Sequence, residues 1–144
     1  MNAWAWDEIA RIAGGVWHIA PASDECPFVG VSIDTRSIGP GQVFFAFVGE
    51  QADGHTYITK AQESGAGACV ATHADRVPDG IKIPVLVVGD ALNALTKLAD
   101  AWRSRMRAKV IGITGSNGKT TTCRLMQGVC EAAGKTSASP KSFN

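Results

Sequence analysis

The chain has 144 residues, of which 45% are hydrophobic, and a formal net charge of +1 at pH 7. This composition is that of an ordinary globular protein, and the balanced charge gives no electrostatic reason to expect binding to nucleic acid or to a membrane surface. The longest apolar stretch, residues 83–88, contains a proline and is too short to cross a bilayer, and the start shows no secretory signal. We therefore expect a cytoplasmic protein with no nucleic-acid partner and no membrane insertion.

Strand-like and helical segments alternate through the first part of the chain, which is the pattern of an α/β fold. Helices are predicted at residues 7–13 and 56–64, each followed by glycine. Strands are predicted at residues 29–34, 42–48, 68–72 and 85–88, with loops at 21–27 and 75–82 and a turn at Gly39-Pro40-Gly41.

A second group of elements follows. An amphipathic helix is predicted at residues 90–106, with Asp90 as its N-cap, and then a strand at 109–114, a helix at 119–133 and a strand at 135–138. The apolar stripe of the first helix is Leu92, Leu95, Leu98, Ala99 and Trp102. We place a domain boundary near Gly89-Asp90, which gives domains 1–89 and 90–144. The strand at 109–114 has no polar alternation and needs covered neighbours in a parallel sheet, so we expect the second domain to be incomplete and the chain to be a fragment.

Residues 114–120, Thr-Gly-Ser-Asn-Gly-Lys-Thr, lie between the predicted strand and helix, which is the setting of a phosphate-binding loop. The N–H groups from Gly115 through Ser116 and Asn117 to Gly118 are expected to bind phosphate oxygens. Lys119 is expected to offset the negative charge of the outer phosphates, and Thr120 is expected to ligate Mg²⁺. Thr121 could support the phosphate contact or the Mg²⁺ contact. The strict spacing fails, because Ile113 stands where it requires glycine. The plain alternative is an ordinary strand-to-helix turn.

The four cysteines (Cys26, Cys69, Cys123 and Cys130) lack the spacing of a metal or redox motif, and we expect them to pack in the core. The three histidines form no metal-ligand pattern. For His55, which follows Gly54, a local turn contact is favoured over catalysis.

Three segments together resemble the Mur ligases, the ATP-dependent amide-bond-forming enzymes of bacterial cell-wall synthesis. They are the loop at 114–122, the run Asp34-Thr35-Arg36-Ser37 with the segment 40–55 after it, and the closing residues 139–144. The resemblance covers nearly the whole chain. It implies a small amino-terminal domain that binds a UDP-linked substrate, followed by the first strand and helix of a parallel-sheet ATPase domain.

The resemblance also implies substrate-contacting positions in the first domain. By matching motifs these are Ile33, Thr35, Gln51 and Ala52, whereas Glu50 stands where a relative has histidine and is not carried over. Hydroxyls of Thr35 and Ser37 together with Arg36 could hold a diphosphate. The plain alternative is a strand end tied by an Asp34–Arg36 ion pair.

Within the family, the ending Ser142-Phe143-Asn144 resembles the member that adds D-alanyl-D-alanine to UDP-N-acetylmuramoyl-tripeptide. The implied cofactors are ATP and Mg²⁺, and the implied catalytic residues are Lys119 and Thr120. The implied reaction passes through an acyl phosphate, and the protein is expected to be a monomer. Three alternatives stay open: the sibling that adds the third, diamino-acid residue; a P-loop kinase; and a non-catalytic module that binds uridine nucleotides.

Overall fold

The computed structural model describes residues 4–23, 29–50 and 52–139. The chain forms two compact units, Met1–Met106 and Arg107–Asn144, and each is described by itself. Part of the predicted loop at 21–27 lies outside the described residues. Cys26, Gln51 and the ending 140–144 lie wholly outside them. Within the described residues no helix has the length and apolar character needed to span a bilayer.

The described residues of the first unit form three α-helices and five strands. The helices are α1 (Trp6–Ala13), α2 (Ile58–Glu63) and α3 (Ala91–Arg105), with short 3-10 helices at Gly54–Tyr57 and Ala74–Arg76. The strands are β1 (Gly15–Ile19), β2 (Val31–Ser32), β3 (Val43–Phe45), β4 (Ala68–Ala71) and β5 (Val85–Val88).

The strands form one sheet in the order β1-β5-β4-β3-β2. Strands β2 to β5 are parallel, and β1 joins the edge by pairing antiparallel with β5. The α/β prediction is confirmed. Strand β1 was not predicted, because Gly14-Gly15 indicates only the end of α1; Gly14 does end the helix, at φ 70°, but Gly15 already pairs with Val88.

The central strands β3, β4 and β5 are buried on both faces, which is why they are continuously apolar. In β3, Val43 and Phe45 face the layer formed by α1 and α3, whereas Phe44 faces the layer formed by α2 and its neighbouring loops. All three side chains are at most 3% exposed. The carboxyl ends of the parallel strands are therefore held from both sides.

Helix α3 packs against α1 and belongs to the first unit. Its N-cap is as predicted, since Asp90 Oδ1 accepts the Asn93 N–H at 2.9 Å. The predicted boundary at Gly89-Asp90 is moved to Met106, because Ala91, Ala94 and Leu98 are buried in the core of the first unit. The inclusion of Leu92 and Ala99 in the apolar stripe was wrong, since Leu92 is 64% exposed and Ala99 is exposed as well.

Aromatic contacts strengthen the packing of α3 in this unit. The ring of Trp102 lies 5.9 Å from that of Trp4, the residue two positions before α1. Arg105 stacks over Trp4 at 4.9 Å and also pairs with Glu8 of α1. These contacts attach the carboxyl end of α3 to the amino-terminal segment of the first unit.

The second unit contains the helix α4 (Lys119–Ala133), whose bounds match the prediction. The predicted strands at 109–114 and 135–138 do not form, because no described segment pairs with either of them. Val110 and Ile111 are accordingly more than half exposed, as are Leu125 and Val129 of α4.

Truncating Leu98 to alanine is expected to lower the free energy of unfolding by about 2–5 kcal/mol, because it leaves a cavity between α3 and the sheet. Urea denaturation monitored by tryptophan fluorescence measures the change. Leu92→Ala is the matched control on the same helix, and its exposed side chain predicts a loss below about 0.5 kcal/mol. Equal losses in the two variants would contradict the assignment of α3 to the first unit.

Candidate functional site

A cleft of about 670 Å³ opens beside the carboxyl ends of β2 and β3. In parallel α/β sheets this is the edge at which ligands bind, because loops diverge there while the strands stay fixed. The lining residues are Ile33, Asp34, Thr35, Arg36, Phe44, Phe45, Phe47, Ala52, Gly54, Tyr57 and Lys60. The cleft is thus lined by apolar, hydroxyl and charged side chains together.

The structure brings together four of the six predicted substrate residues. Ile33, Thr35, Arg36 and Ala52 line the cleft. Ser37 does not line it, because its hydroxyl turns back and donates to the Asp34 carbonyl at 3.3 Å. Gln51 lies outside the described residues.

Arg36 forms a forked ion pair with Asp34. Its Nη2 donates to Oδ2 at 2.6 Å and its Nε to Oδ1 at 2.9 Å, while the Arg36 backbone N–H donates to the same Oδ1 at 2.9 Å. Hydrogen bonds from the Arg36 side chain and then from its backbone lower the pKa of Asp34 from 3.8 to about 2. The Asp34–Arg36 ion pair, predicted from the sequence as the alternative to diphosphate binding, is therefore present. Both residues also line the cleft.

His55 is a buried structural link and not an exposed catalytic group. Its Nε2 accepts the backbone N–H groups of Thr72 and His73, both at 3.2 Å, so the ring proton is on Nδ1. Nδ1 lies 2.6 Å from Asp53 Oδ1, and Arg76 donates to the other oxygen of Asp53 at 3.1 Å. The His55 backbone N–H, followed by its ring, holds the pKa of Asp53 below its ordinary value. The predicted turn contact is present and extends to the end of β4.

Seven of the eleven lining residues were not predicted as site residues, among them Phe47, Tyr57 and Lys60. Phe47 follows β3, while Tyr57 and Lys60 stand one helical turn apart across the junction of the 3-10 helix with α2. One sequence signal could have found Tyr57 and Lys60: they are three positions apart, which puts them on the same helix face. That helix begins just after the loop that carries Ala52 and Gly54.

The loop before α4 contains two glycines with positive φ. Gly118 is the N-cap of α4 at φ 77°, and Gly115 has φ 150°, both in the region that favours glycine. The amino end of α4 has no side-chain cap, which suits it to an anion. The Lys119 Nζ donates to the Gly115 carbonyl at 2.8 Å and makes no ion pair with any described residue. The ammonium thus lies over its own loop.

Protein ligands for a metal are few near this loop. Across residues 4–23, 29–50 and 52–139, no three His, Cys, Asp or Glu side chains cluster as a metal site. Thr120 has a hydroxyl at the position that the motif assigns to Mg²⁺, and Mg²⁺ at nucleotide sites takes most of its ligands from phosphates and water. Of the cysteines, Cys69 is buried as predicted and burial raises its pKa to about 12, whereas Cys123 and Cys130 are half-buried.

Comparison with known proteins identifies the family. The model of the Mur ligase family, catalytic domain, matches residues 27–105, which is more than half of the chain. The chain belongs to the Mur ligase family. The resemblance drawn from the motifs is confirmed at this level.

Two relatives illustrate the similarity within the Mur ligases. The UDP-N-acetylmuramoyl-L-alanyl-D-glutamate--2,6-diaminopimelate ligase of Bradyrhizobium diazoefficiens is 36% identical over 92% of this chain and 27% of its own length. The UDP-N-acetylmuramoyl-tripeptide--D-alanyl-D-alanine ligase of Synechocystis is 35% identical over 85% of this chain and 27% of its own. The chain spans about a quarter of the length of these relatives.

Solved structures agree with the fold of this Mur-family chain. MurF from Acinetobacter baumannii superposes with a TM-score of 0.73 and 27% identity, covering 92% of this chain and 28% of its own. MurF ligase from Thermotoga maritima in complex with ADP gives a TM-score of 0.59 and 26% identity, covering 76% and 25%.

Replacing Arg36 with glutamine is expected to raise the pKa of Asp34 from about 2 toward 3.8, because the largest cause of its lowering is removed. A lowered carboxyl pKa stabilises the folded state above pH 3.8 and loses that effect as the pH falls toward 2, so the variant loses less stability over this interval. Titration of the Asp34 carboxyl carbon by NMR gives the midpoint. Arg11→Gln, at an arginine that pairs with Glu8, should leave it unchanged.

Replacing Gly54 with alanine is expected to destabilise the protein by about 1–3 kcal/mol. An added Cβ would lie 2.6 Å from the Phe47 carbonyl oxygen and 2.7 Å from its nitrogen, so the backbone at Gly54 or at Phe47 must move. Gly89→Ala is the control, because a Cβ there meets no atom within 4 Å. Thermal unfolding compares the two, and an unchanged melting temperature in the Gly54 variant would refute the close approach.

Proposed function

We propose that this chain is the substrate-binding and ATP-loop portion of an ATP-dependent ligase that builds peptidoglycan precursors in the cytoplasm. Family membership supports the reaction class. The observation that carries the proposal is the loop itself, in which two glycines at positive φ precede an uncapped helix end and the Lys119 ammonium lies over the turn.

In the first unit, we assign the cleft to the uridine-diphosphate end of a UDP-N-acetylmuramoyl peptide. A volume of about 670 Å³ is within the range of sites for small molecules. The Thr35 hydroxyl, the aromatic side chains and a cation offer partners for a base, a sugar and an anionic tail in one place. Both relatives described above carry a UDP-N-acetylmuramoyl substrate in their names, which supports this ligand class.

In the second unit, we assign residues 115–121 to ATP. Backbone N–H groups at the start of α4 would bind phosphate oxygens, Lys119 would offset charge as the γ-phosphate transfers, and Thr120 would give Mg²⁺ one hydroxyl ligand. The ADP complex of the Thermotoga protein supports nucleotide use in this family. The peptide carboxylate is proposed to attack the γ-phosphate, which forms an acyl phosphate and releases ADP. An amine then attacks the acyl carbon and displaces inorganic phosphate.

For the incoming amine we propose D-alanyl-D-alanine, with UDP-N-acetylmuramoyl-tripeptide as its acceptor. The structural match to MurF over 92% of the chain supports this choice. The second candidate is the addition of a diamino acid to the dipeptide precursor, which is favoured by identities of 36–40% to diaminopimelate ligases, against 35–37% for the D-alanyl-D-alanine ligases. The segment that suggested the first choice, residues 142–144, lies outside the described residues.

Isothermal titration calorimetry on the 144-residue chain tests the ligand class, with UDP and adenosine as the paired ligands. We expect heat for UDP and none for adenosine at the cleft. In a full-length ligase containing this segment, parallel assays with the two precursor–amine pairs decide between the two candidates. Product only with the diamino acid would overturn the D-alanyl-D-alanine assignment.

In that full-length ligase, Lys119→Ala is expected to lower kcat/KM by about tenfold to a hundredfold or more. The loss corresponds to a charge-assisted hydrogen bond of about 1.5–3 kcal/mol, at about 1.4 kcal/mol per factor of ten. Lys135→Ala is the matched control, since that lysine is exposed and lies beyond α4. Phosphate release measures turnover, and a normal rate in the Lys119 variant would rule out its assigned role.

A further inference from the structure

We propose that Lys60, and not Arg36, supplies the positive charge that binds the diphosphate of a nucleoside diphosphate in the cleft. This inference rests on the proposed assignment of the cleft to a UDP-linked ligand. The motif comparison did not point to Lys60. Its support comes from which cationic side chains line the cleft and what each of them already contacts.

Arg36 is committed to Asp34. Two of its nitrogens donate to both oxygens of that carboxylate, which is the planar geometry in which arginine binds an anion most strongly. A diphosphate approaching Arg36 would have to displace a neighbouring carboxylate or bind beside its negative charge. The pair contributes little net charge to the cleft, and its role is to hold the loop that follows β2.

Lys60 is the other cation of the cleft wall. Within the described residues its ammonium makes no ion pair and no side-chain hydrogen bond. The loop after β3 carries two other carboxylates, Glu50 and Asp53, and neither lines the cleft. Asp53 is engaged by His55 and Arg76. No described carboxylate therefore neutralises the Lys60 ammonium, and as a mobile point charge it suits the tetrahedral oxygens of a phosphate.

The side chains around Lys60 are suited to the base and sugar of a nucleotide whose phosphates contact Lys60. Tyr57, one turn earlier, is 45% exposed and lines the same cleft together with Phe47 and Ile33. An aromatic and apolar surface next to an unpaired ammonium matches a ligand with a flat base at one end and an anionic tail at the other. The half-buried Thr35 adds a hydroxyl between the two kinds of surface.

The test measures the dissociation constants of UDP and of uridine for the 144-residue chain by titration calorimetry. We expect Lys60→Gln to weaken UDP binding about tenfold and to leave uridine binding unchanged, because uridine carries no phosphate. Lys60→Arg should retain most of the UDP affinity. Lys97→Gln, which removes the same charge from an exposed position on α3, should change neither constant.

The outcomes separate this inference from the proposed function. If the unaltered chain binds UDP and Lys60→Gln binds it equally well, the role of Lys60 is overturned while the uridine-nucleotide cleft stands. If Lys60→Gln weakens UDP and uridine alike, the effect is structural and the charge assignment is overturned. Absence of UDP binding by the unaltered chain would overturn both. Added salt should weaken UDP binding more for the unaltered chain than for Lys60→Gln.

Discussion

The first unit depends on the burial of strand β3 from both sides. Val43 and Phe45 pack beneath α1 and α3, and Phe44 packs against the layer of α2. Because these side chains interdigitate with both layers, the point at which β3 ends is fixed, and the loop after it must leave the sheet there. Phe47 then receives the Gly54 N–H on its carbonyl at 2.8 Å, which closes the loop next to the cleft.

The same closure is continued by His55. Its ring joins the Asp53 carboxylate to the backbone at the end of β4, so the loop after β3 is attached to a second strand. A buried imidazole that accepts two backbone N–H groups and donates to a carboxylate satisfies every polar atom it has. The cleft therefore has one wall held by the Asp34–Arg36 pair and another held by this link. Its position follows from the core, while its chemistry follows from the loops.

The interactions that could be predicted from the sequence were those between residues close together in the chain. The Asp90 cap, the end of α1 at Gly14 and the bounds of α4 all follow from local rules, and so does the glycine backbone of the loop at 115–118. The contact of His55 with its own turn was expected for the same reason, whereas its contacts 17 and 18 residues away were not.

The sequence by itself determined the α/β class, the family and the positions of the glycines in the loop at 115–118, because periodicity, capping and motif spacing are properties of neighbouring residues. Only the tertiary structure decided that α3 belongs with the first unit, that β1 completes the sheet, and that residues 109–114 pair with no described strand. It alone brought Lys60 to the same cleft as Thr35 and Arg36. Each of these outcomes depends on which distant surfaces meet, and the free energy of that packing is not encoded in any single local pattern.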